Sequence, residues 1–315
     1  MHTPAHGRAG GKVILLGEHV VVYGRPALAT GLPLSVDATV ETGAGPRLIS
    51  DVDADPRTTR LVAEAARAVG LDPSRVVVRV CSEVPSGRGL GSSAALSVAV
   101  LRAMAAAAGR TLDVPATLAL GRELESVFHG TPSGVDPAAA ALGTCFRFVR
   151  GEPPSVTPVA VGRPLRLVIA YGDRARSTGS AVGALRERWQ RDRGRYEGLF
   201  DEAAAIVEDG IAAAERGDLA ALGAAFDRNQ AVLETLGVSH DDVERLVHAA
   251  RAAGALGAKL TGGGAGGAII ALADDAEAVA RALRAHGATT MVAEVGGTAA
   301  RQPANAVPMA GREGA

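Results

Sequence analysis

Short β-branched runs alternate along the chain with longer stretches of Ala and Leu, and glycines mark many of the boundaries. Near the start, "KVILLGE", "HVVVYG" and "PLSVDATVET" read as short β-like runs separated by Gly and Pro. Residues 56–70, "PRTTRLVAEAARAVG", repeat apolar positions at helical spacing and finish on glycine, which predicts a helix. "RVVVRVCSE" predicts a strand over 76–83, and "AALSVAVLRAMAAAAG" a helix after the loop that follows it. A further helix, "VPATLALGRELESVFHG", is expected to end near Gly130. The loop "HGTPSGVD" then leads into a short Ala-rich helix and the strand "CFRFV".

Beyond the Pro-containing stretch 152–164 the pattern changes. "RLVIAYG" predicts a strand, followed by long helices from about 178 to 253. A strand, the loop "TGGGAGG", the strand "AIIAL", the helix "DDAEAVARALRAHG" and the strand "TMVAEV" complete the series. These patterns predict two α+β domains, residues 1–157 and 158–300, with the glycine loop in the second. Residues 301–315 are rich in Gly, Pro and Ala and are expected to form a disordered tail. No fixed-period repeat is visible.

Composition narrows the class. The 315 residues are 47% hydrophobic and 21% charged, as in a globular chain, and only 3% aromatic, so the core must be built from Ala, Val and Leu. A net charge of −1 with no Lys/Arg block argues against a nucleic-acid surface. The N-terminal "MHTPAHGRAGGK" has no apolar segment of the secretory kind, and the longest apolar runs are broken by Gly, Arg or Glu. A cytoplasmic protein with no membrane partner is expected. Cys81 and Cys145 lack metal-type spacing and are each expected to be buried structural thiols. Arginine is used almost throughout, and the only two lysines, Lys12 and Lys259, both stand beside glycines. That pattern is either chance or a sign that a compact ammonium is needed where a forked guanidinium would not serve.

Four stretches carry candidate chemistry. In "EVPSGRGLGSSAAL", Gly87, Gly89 and Gly91 precede Ser92 and Ser93 between a strand and a helix. The spacing does not fit a dinucleotide fingerprint, no acidic residue ends a following strand, and no Gly-Lys-Ser/Thr closes a Walker loop. What remains is a helix start that can cradle phosphate with backbone N–H groups, its two hydroxyls suited to phosphate oxygen and Mg²⁺. A plain N-cap would need one serine and fewer glycines. In "HGTPSGVD" a hydrolase would use Ser133 with His129 and Asp136, but the spacing is not that of a nucleophile elbow. The other reading is a tight turn with Asp136 capping the next helix, and Glu123 and Glu125 lie just upstream. Glu18 and His19 interrupt an apolar run and read as a surface pair or as site residues. In "KLTGGGAGG", five of the six residues after Thr261 are Gly, which implies left-handed backbone or close approach of a ligand or another chain segment.

The stretches 11–24, 83–95 and 258–268 resemble, in order and spacing, the three motifs of the kinase superfamily that contains galactokinase, homoserine kinase, mevalonate kinase and phosphomevalonate kinase. The resemblance runs from about residue 10 to 295, and the P-x-x-x-G-L-G-S-S-A pattern is its most specific part. Within the superfamily, "GKVILLGEHVVVYGRPALA", "HGTPSGVD", "RSTG" at 176–179 and "LGVSH" at 236–240 are most similar to the mevalonate kinase branch. The third motif departs from the usual "TGAGGGG" by exchanging Ala and Gly. The resemblance implies an N-terminal ribosomal-protein-S5-like domain and a C-terminal ferredoxin-like domain. It implies ATP and Mg²⁺ as cofactors, mevalonate as the small-molecule partner, and leaves a homodimer open. By motif position it makes Asp136 the catalytic aspartate with Lys12 beside it, and Ser93 and Glu125 the Mg²⁺ ligands, Glu125 preferred over Glu123. Gly87, Gly89, Leu90, Gly91, Ser92 and Ser93 would hold the ATP phosphates. Glu18, His19, Thr178, Gly263 and Gly264 would meet the substrate. Another kinase of the superfamily, acting on a different alcohol or sugar, and a non-catalytic nucleotide-binding protein are the alternatives.

Overall fold

The computed structural model describes residues 4–50, 56–128, 134–172, 178–263 and 267–296, without the side chains of 178–180. The strand expected to open at Lys12 starts earlier, as β1 (Ala5–Leu16), and pairs antiparallel with β2 (Ala27–Thr42). Between them "VVVY" is a 3₁₀ turn, Val20–Tyr23, rather than the β-like run expected. It is bracketed by positive φ at His19 (64°) and Gly24 (80°), which extended backbone does not allow, and it buries the adjacent Val20 and Val21 together.

Next come β3 (Arg47–Ser50), α1 (Pro56–Ala68) and β4 (Val76–Ser82), with β3 parallel to β4 across the helix. The glycine loop then leads into α2 (Ser92–Ala107), followed by α3 (Val114–Glu125), α4 (Val135–Leu142), β5 (Phe146–Val149) and β6 (Ser155–Pro158). The sheet order is β3-β4-β2-β5-β6, with β1 also paired to β2. β3 and β6 are four-residue edge strands in Pro-flanked stretches that alone give too little pattern to read. In β4 buried and open positions alternate, so Cys81 shares the outer face with Arg79 and is exposed, contrary to expectation, whereas Cys145 is buried.

The second sheet is built from β7 (Leu165–Tyr171), four consecutive helices, β8 (Gly257–Leu260), β9 (Ala268–Leu272), α9 (Ala276–Ala285) and β10 (Thr289–Val295). The four helices are α5 (Thr178–Arg191), α6 (Arg193–Arg216), α7 (Leu219–Thr235) and α8 (Asp241–Ala252). Its strands run antiparallel in the order β10-β7-β9-β8, the ferredoxin-like arrangement. α9 shows why such helices were readable: Asp275 caps Ala278 N–H at 3.0 Å, and Ala276, Val279, Ala280 and Leu283 make one buried stripe. One apolar cluster runs from Val13 and Leu15 of β1 to Ile269 and Ile270 of β9, joining the two sheets. A smaller one, with Ile14, Ala29, Phe146 and Phe148 beneath Val135, Ala138 and Ala139, seats α4.

Few aromatics force this core to gain its contacts by close approach. One such place is Gly7 of β1, where a Cβ would collide with Ala99 O and Ala103 N of α2 and lie 2.9 Å from the Arg102 carbonyl carbon. Gly7→Ala should therefore cost about 1–3 kcal/mol through backbone displacement and lower Tm by several degrees in calorimetry. Gly194→Ala is the control. Gly194 lies in α6 with nothing within 4 Å of a Cβ, and the change should leave Tm level or raise it.

Candidate active site

The site begins with a defect in a ladder. The β1–β2 register shifts between Gly10 and Lys12, and this bulge frees the Lys12 backbone to donate to Leu90 O at 2.8 Å. The Lys12 side chain, 4% exposed, passes under the glycine loop and places Nζ 2.9 Å from Asp136 Oδ1. Gly91 has φ of 76°, and a Cβ on it would sit 2.7 Å from Lys12 Cγ, so the loop and the ammonium can share this space only with glycine there. Gly87, Gly89 and Gly91 alternate at positive φ, the backbone habit of an anion-binding concavity. Gly91 is the N-cap of α2 and no side chain caps that end, so its positive pole faces the loop, with Ser92 and Ser93 as the first two helical residues.

α4 brings Asp136 in its first turn, its backbone led in by Gly134 at φ 87°. α3 brings Glu125, which is 2% exposed, while Glu123 faces outward. Glu125 Oε2 is buried with no hydrogen-bond partner among the described residues. Burial first, and the Asp136 charge second, push its carboxyl well above the usual carboxylate range against the pull of Lys12. Lys12, Asp136 and Glu125 thus form one electrostatic cluster at the start of α2. His129 and Ser133, which a hydrolase would need, lie outside the described residues. Among the described residues no group of three or more His, Cys, Asp or Glu is arranged to hold a metal.

The turn after β1 supplies the other wall. Glu18 is 0% exposed and ion-paired with Lys259 of β8, also 0% exposed. Its Oε2 has no hydrogen-bond partner among the described residues. His19, at φ 64° and 6% exposed, contacts the backbone of Gly263, and its buried Nε2 has no partner among the described residues. Burial, then the Lys259 charge, lower its imidazole from 6.5 to about 4, so it is neutral at physiological pH. The second glycine loop meets the first here: a Cβ on Gly262 would be 3.1 Å from Gly89 O. Gly264 and Arg176 lie outside the described residues, and so does the tail 301–315. Thr178 opens α5, and its side chain is likewise outside them.

Three residues that hold the site were not assigned a place from sequence. Lys259 stood out only as a rare lysine. Asn229 accepts from Gly17 N–H at 3.0 Å, and Gln230 accepts from Leu260 N–H at 2.9 Å. Phe226, Asn229, Gln230 and Leu233 are buried in α7 at the spacing of one face. Two amides inside an apolar stripe were the available signal.

Two family models match the chain, described as the GHMP kinases N terminal domain over residues 57–144 and the GHMP kinases C terminal over 211–289. The chain is 31% identical to a mevalonate kinase of Thermococcus sibiricus over 91% of its own length and 95% of that protein's. It is 32% identical to one from Aeropyrum pernix, over 88% and 91%. The crystal structure of L. major mevalonate kinase in complex with R-mevalonate superposes with a TM-score of 0.81 at 29% identity, covering 94% of this chain and 96% of that one. With its glycine loops, its order of strands and its full-length relatives in agreement, this chain belongs to the mevalonate kinase branch of the GHMP kinase family.

Proposed function

We propose that the chain transfers the γ-phosphoryl group of ATP to the primary hydroxyl of mevalonate, giving 5-phosphomevalonate. The observation that carries this reading is the Lys12–Asp136 pair at 2.9 Å, set between the glycine loop and the Glu18–His19 turn. Asp136 is 24% exposed and so within reach of an acceptor, while its partner is buried. Asp136 takes the hydroxyl proton as the oxygen forms its bond to the γ-phosphorus. The bond from that phosphorus to the bridging oxygen breaks, and ADP leaves with the electron pair. Lys12 balances charge on the attacking oxygen and the transferred group, a point-charge task suited to an ammonium. Backbone N–H groups from Gly87 to Ser93, among them Gly89, Leu90, Gly91 and Ser92, hold the phosphates, and most of the rate enhancement comes from such positioning.

Ser93 and Glu125 suit Mg²⁺, which takes hard oxygen ligands and is commonly held by one or two carboxylates together with phosphates. The unpartnered Glu125 Oε2, its charge disfavoured by burial, is the kind of oxygen a cation would satisfy. Bound there, Mg²⁺ would neutralise phosphate charge. Neutral His19 and Glu18 face the acceptor, with Thr178, Gly263 and Gly264 completing that side. Cys81 and Cys145 are thiols rather than halves of a disulfide, which fits a reducing, cytoplasmic setting, and residues 1–157 and 158–300 are the two domains. Among the described residues no helix is long and apolar enough to cross a membrane.

ADP release with Mg-ATP and, in turn, mevalonate, phosphomevalonate, galactose and homoserine tests the assignment. Turnover is expected with mevalonate alone; turnover only with another acceptor would reject it. Asp136→Asn should lower kcat by about 10²–10⁴-fold with Tm nearly unchanged, and near-normal turnover would remove Asp136 as the base. The low pKa of His19 also has a stability signature. Between about 4 and 6.5 the unfolded chain binds the proton that the folded chain refuses, so stability is complete above that window and falls as pH drops through it. In urea unfolding, the wild type should lose about 2 kcal/mol more than His19→Asn between pH 7 and 5. Parallel losses in both would show that His19 does not titrate in this way.

A further inference from the structure

Of the two lysines, Lys12 has a place in the chemistry, and Lys259 has none. Yet Lys259 is the more deeply buried. It pairs with Glu18, donates to Leu260 O at 2.7 Å and lies 6.0 Å from the centre of the Phe226 ring. Lys259 comes from the second sheet and Glu18 from the turn after β1, so the pair spans the seam between the two. Thr261 adds a neighbouring stitch, its hydroxyl donating to Ile14 O at 3.0 Å and accepting from Ile14 N–H at 3.3 Å.

The turn that Lys259 grips is strained. His19 has φ 64° and ψ −47°, and Val20 N–H donates to Glu18 O at 2.7 Å. This is a γ-turn of the rare positive-φ kind, a conformation that costs about 1–3 kcal/mol and persists only where its surroundings over-determine it. The surroundings do so at each residue. Gly17 N–H is held by Asn229 at 3.0 Å, the Glu18 side chain by Lys259, and Val20 O accepts from Arg25 N–H at 3.3 Å. Lys259 acts on the residue next to the strained one, and through its only charge. Were that charge removed, Glu18 would be left as a buried, unpaired carboxylate with reason to swing out, and the γ-turn could relax with it.

We propose that Lys259 is a positioning residue for acceptor recognition: by clamping Glu18 it keeps the strained turn shut and His19 against Gly263, without itself touching the acceptor. This rests on the reading of Glu18 and His19 as the acceptor's wall. It separates the roles of the two lysines, Lys12 serving the transferred group and Lys259 the fit of the alcohol. It also accounts for the position's demands, a straight stem and a compact charge in a slot with no exposed surface.

The test compares wild type, Lys259→Met and Lys259→Gln in steady-state kinetics with Mg-ATP and mevalonate, alongside thermal melts. Lys259→Met keeps the stem and removes the charge. It should raise KM for mevalonate at least tenfold while KM for ATP stays within twofold and kcat within about threefold, the pattern of lost ground-state binding. If Lys259→Met does not fold, Lys259→Gln, which keeps a polar end beside Glu18 and Leu260 O while removing the charge, takes its place with the same expected split. A KM for mevalonate within twofold of wild type in either folded variant, or equal rises in both KM values, would overturn the proposal. The wild type is measured in the same assay, so a wrong acceptor shows there as absent turnover, whereas a wrong role for Lys259 shows only in the variants.

Discussion

A charge taken out of water must find a partner or be neutralised, and this chain takes several charges out of water in one place. Lys12 and Asp136, Glu18 and Lys259, and the solitary Glu125 all lie where the two sheets approach, and most of them are buried. Their fields overlap. Burial raises the Glu18 carboxyl against the pull of Lys259 and Lys12, burial and then Asp136 raise that of Glu125 against Lys12, and burial, then Lys259, keep His19 neutral. Such a cluster is tolerable only in a rigid frame that keeps every partner at bonding distance. The architecture reads as that frame.

The frame is made of backbone more than of side chains. A bulge in β1 points Lys12 inward, alternating left-handed glycines fold the first glycine loop over its stem, and a γ-turn presents His19. Of these the γ-turn at His19 is strained, while the bulge and the left-handed glycines are conformations their residues adopt readily. Each is held by long-range polar bonds, from Leu90 O to Lys12 N–H, from Asn229 to Gly17 and from Thr261 to Ile14. The apolar cluster that runs through both sheets supplies the stiffness those bonds need.

Legibility from sequence followed the range of the forces involved. Helices such as α9 and α1 were readable because capping and periodic burial are local, and so were the glycine loops, whose composition announces positive φ. The "VVVY" segment was not, because β-branched propensity points to a strand and the bracketing φ values reflect tertiary contacts. β3 and β6 borrow their strand character from longer neighbours. In the site, Lys12, Asp136 and Glu125 could be named by motif. The partner of Lys259 could not, since nothing local in "GAKLTGG" points to a glutamate near the other end of the chain. Asn229 and Gln230 left a readable trace, polar residues in a buried stripe, that gave no hint of what they bind.

The bonds that close the site also set when it can exist. Glu18 and Lys259 are 241 residues apart, Thr261 and Ile14 are 247 apart, and Gly17 and Asn229 are 212 apart. A chain emerging from the ribosome can lay down β1 and β2 early, but the Glu18–His19 turn lacks its anchors from Asn229 and Lys259 until α7 and β8 have been made. Contacts this distant in sequence repay their loop entropy only late in folding. The nascent enzyme should therefore carry a folded scaffold well before it carries a finished Glu18–His19 turn.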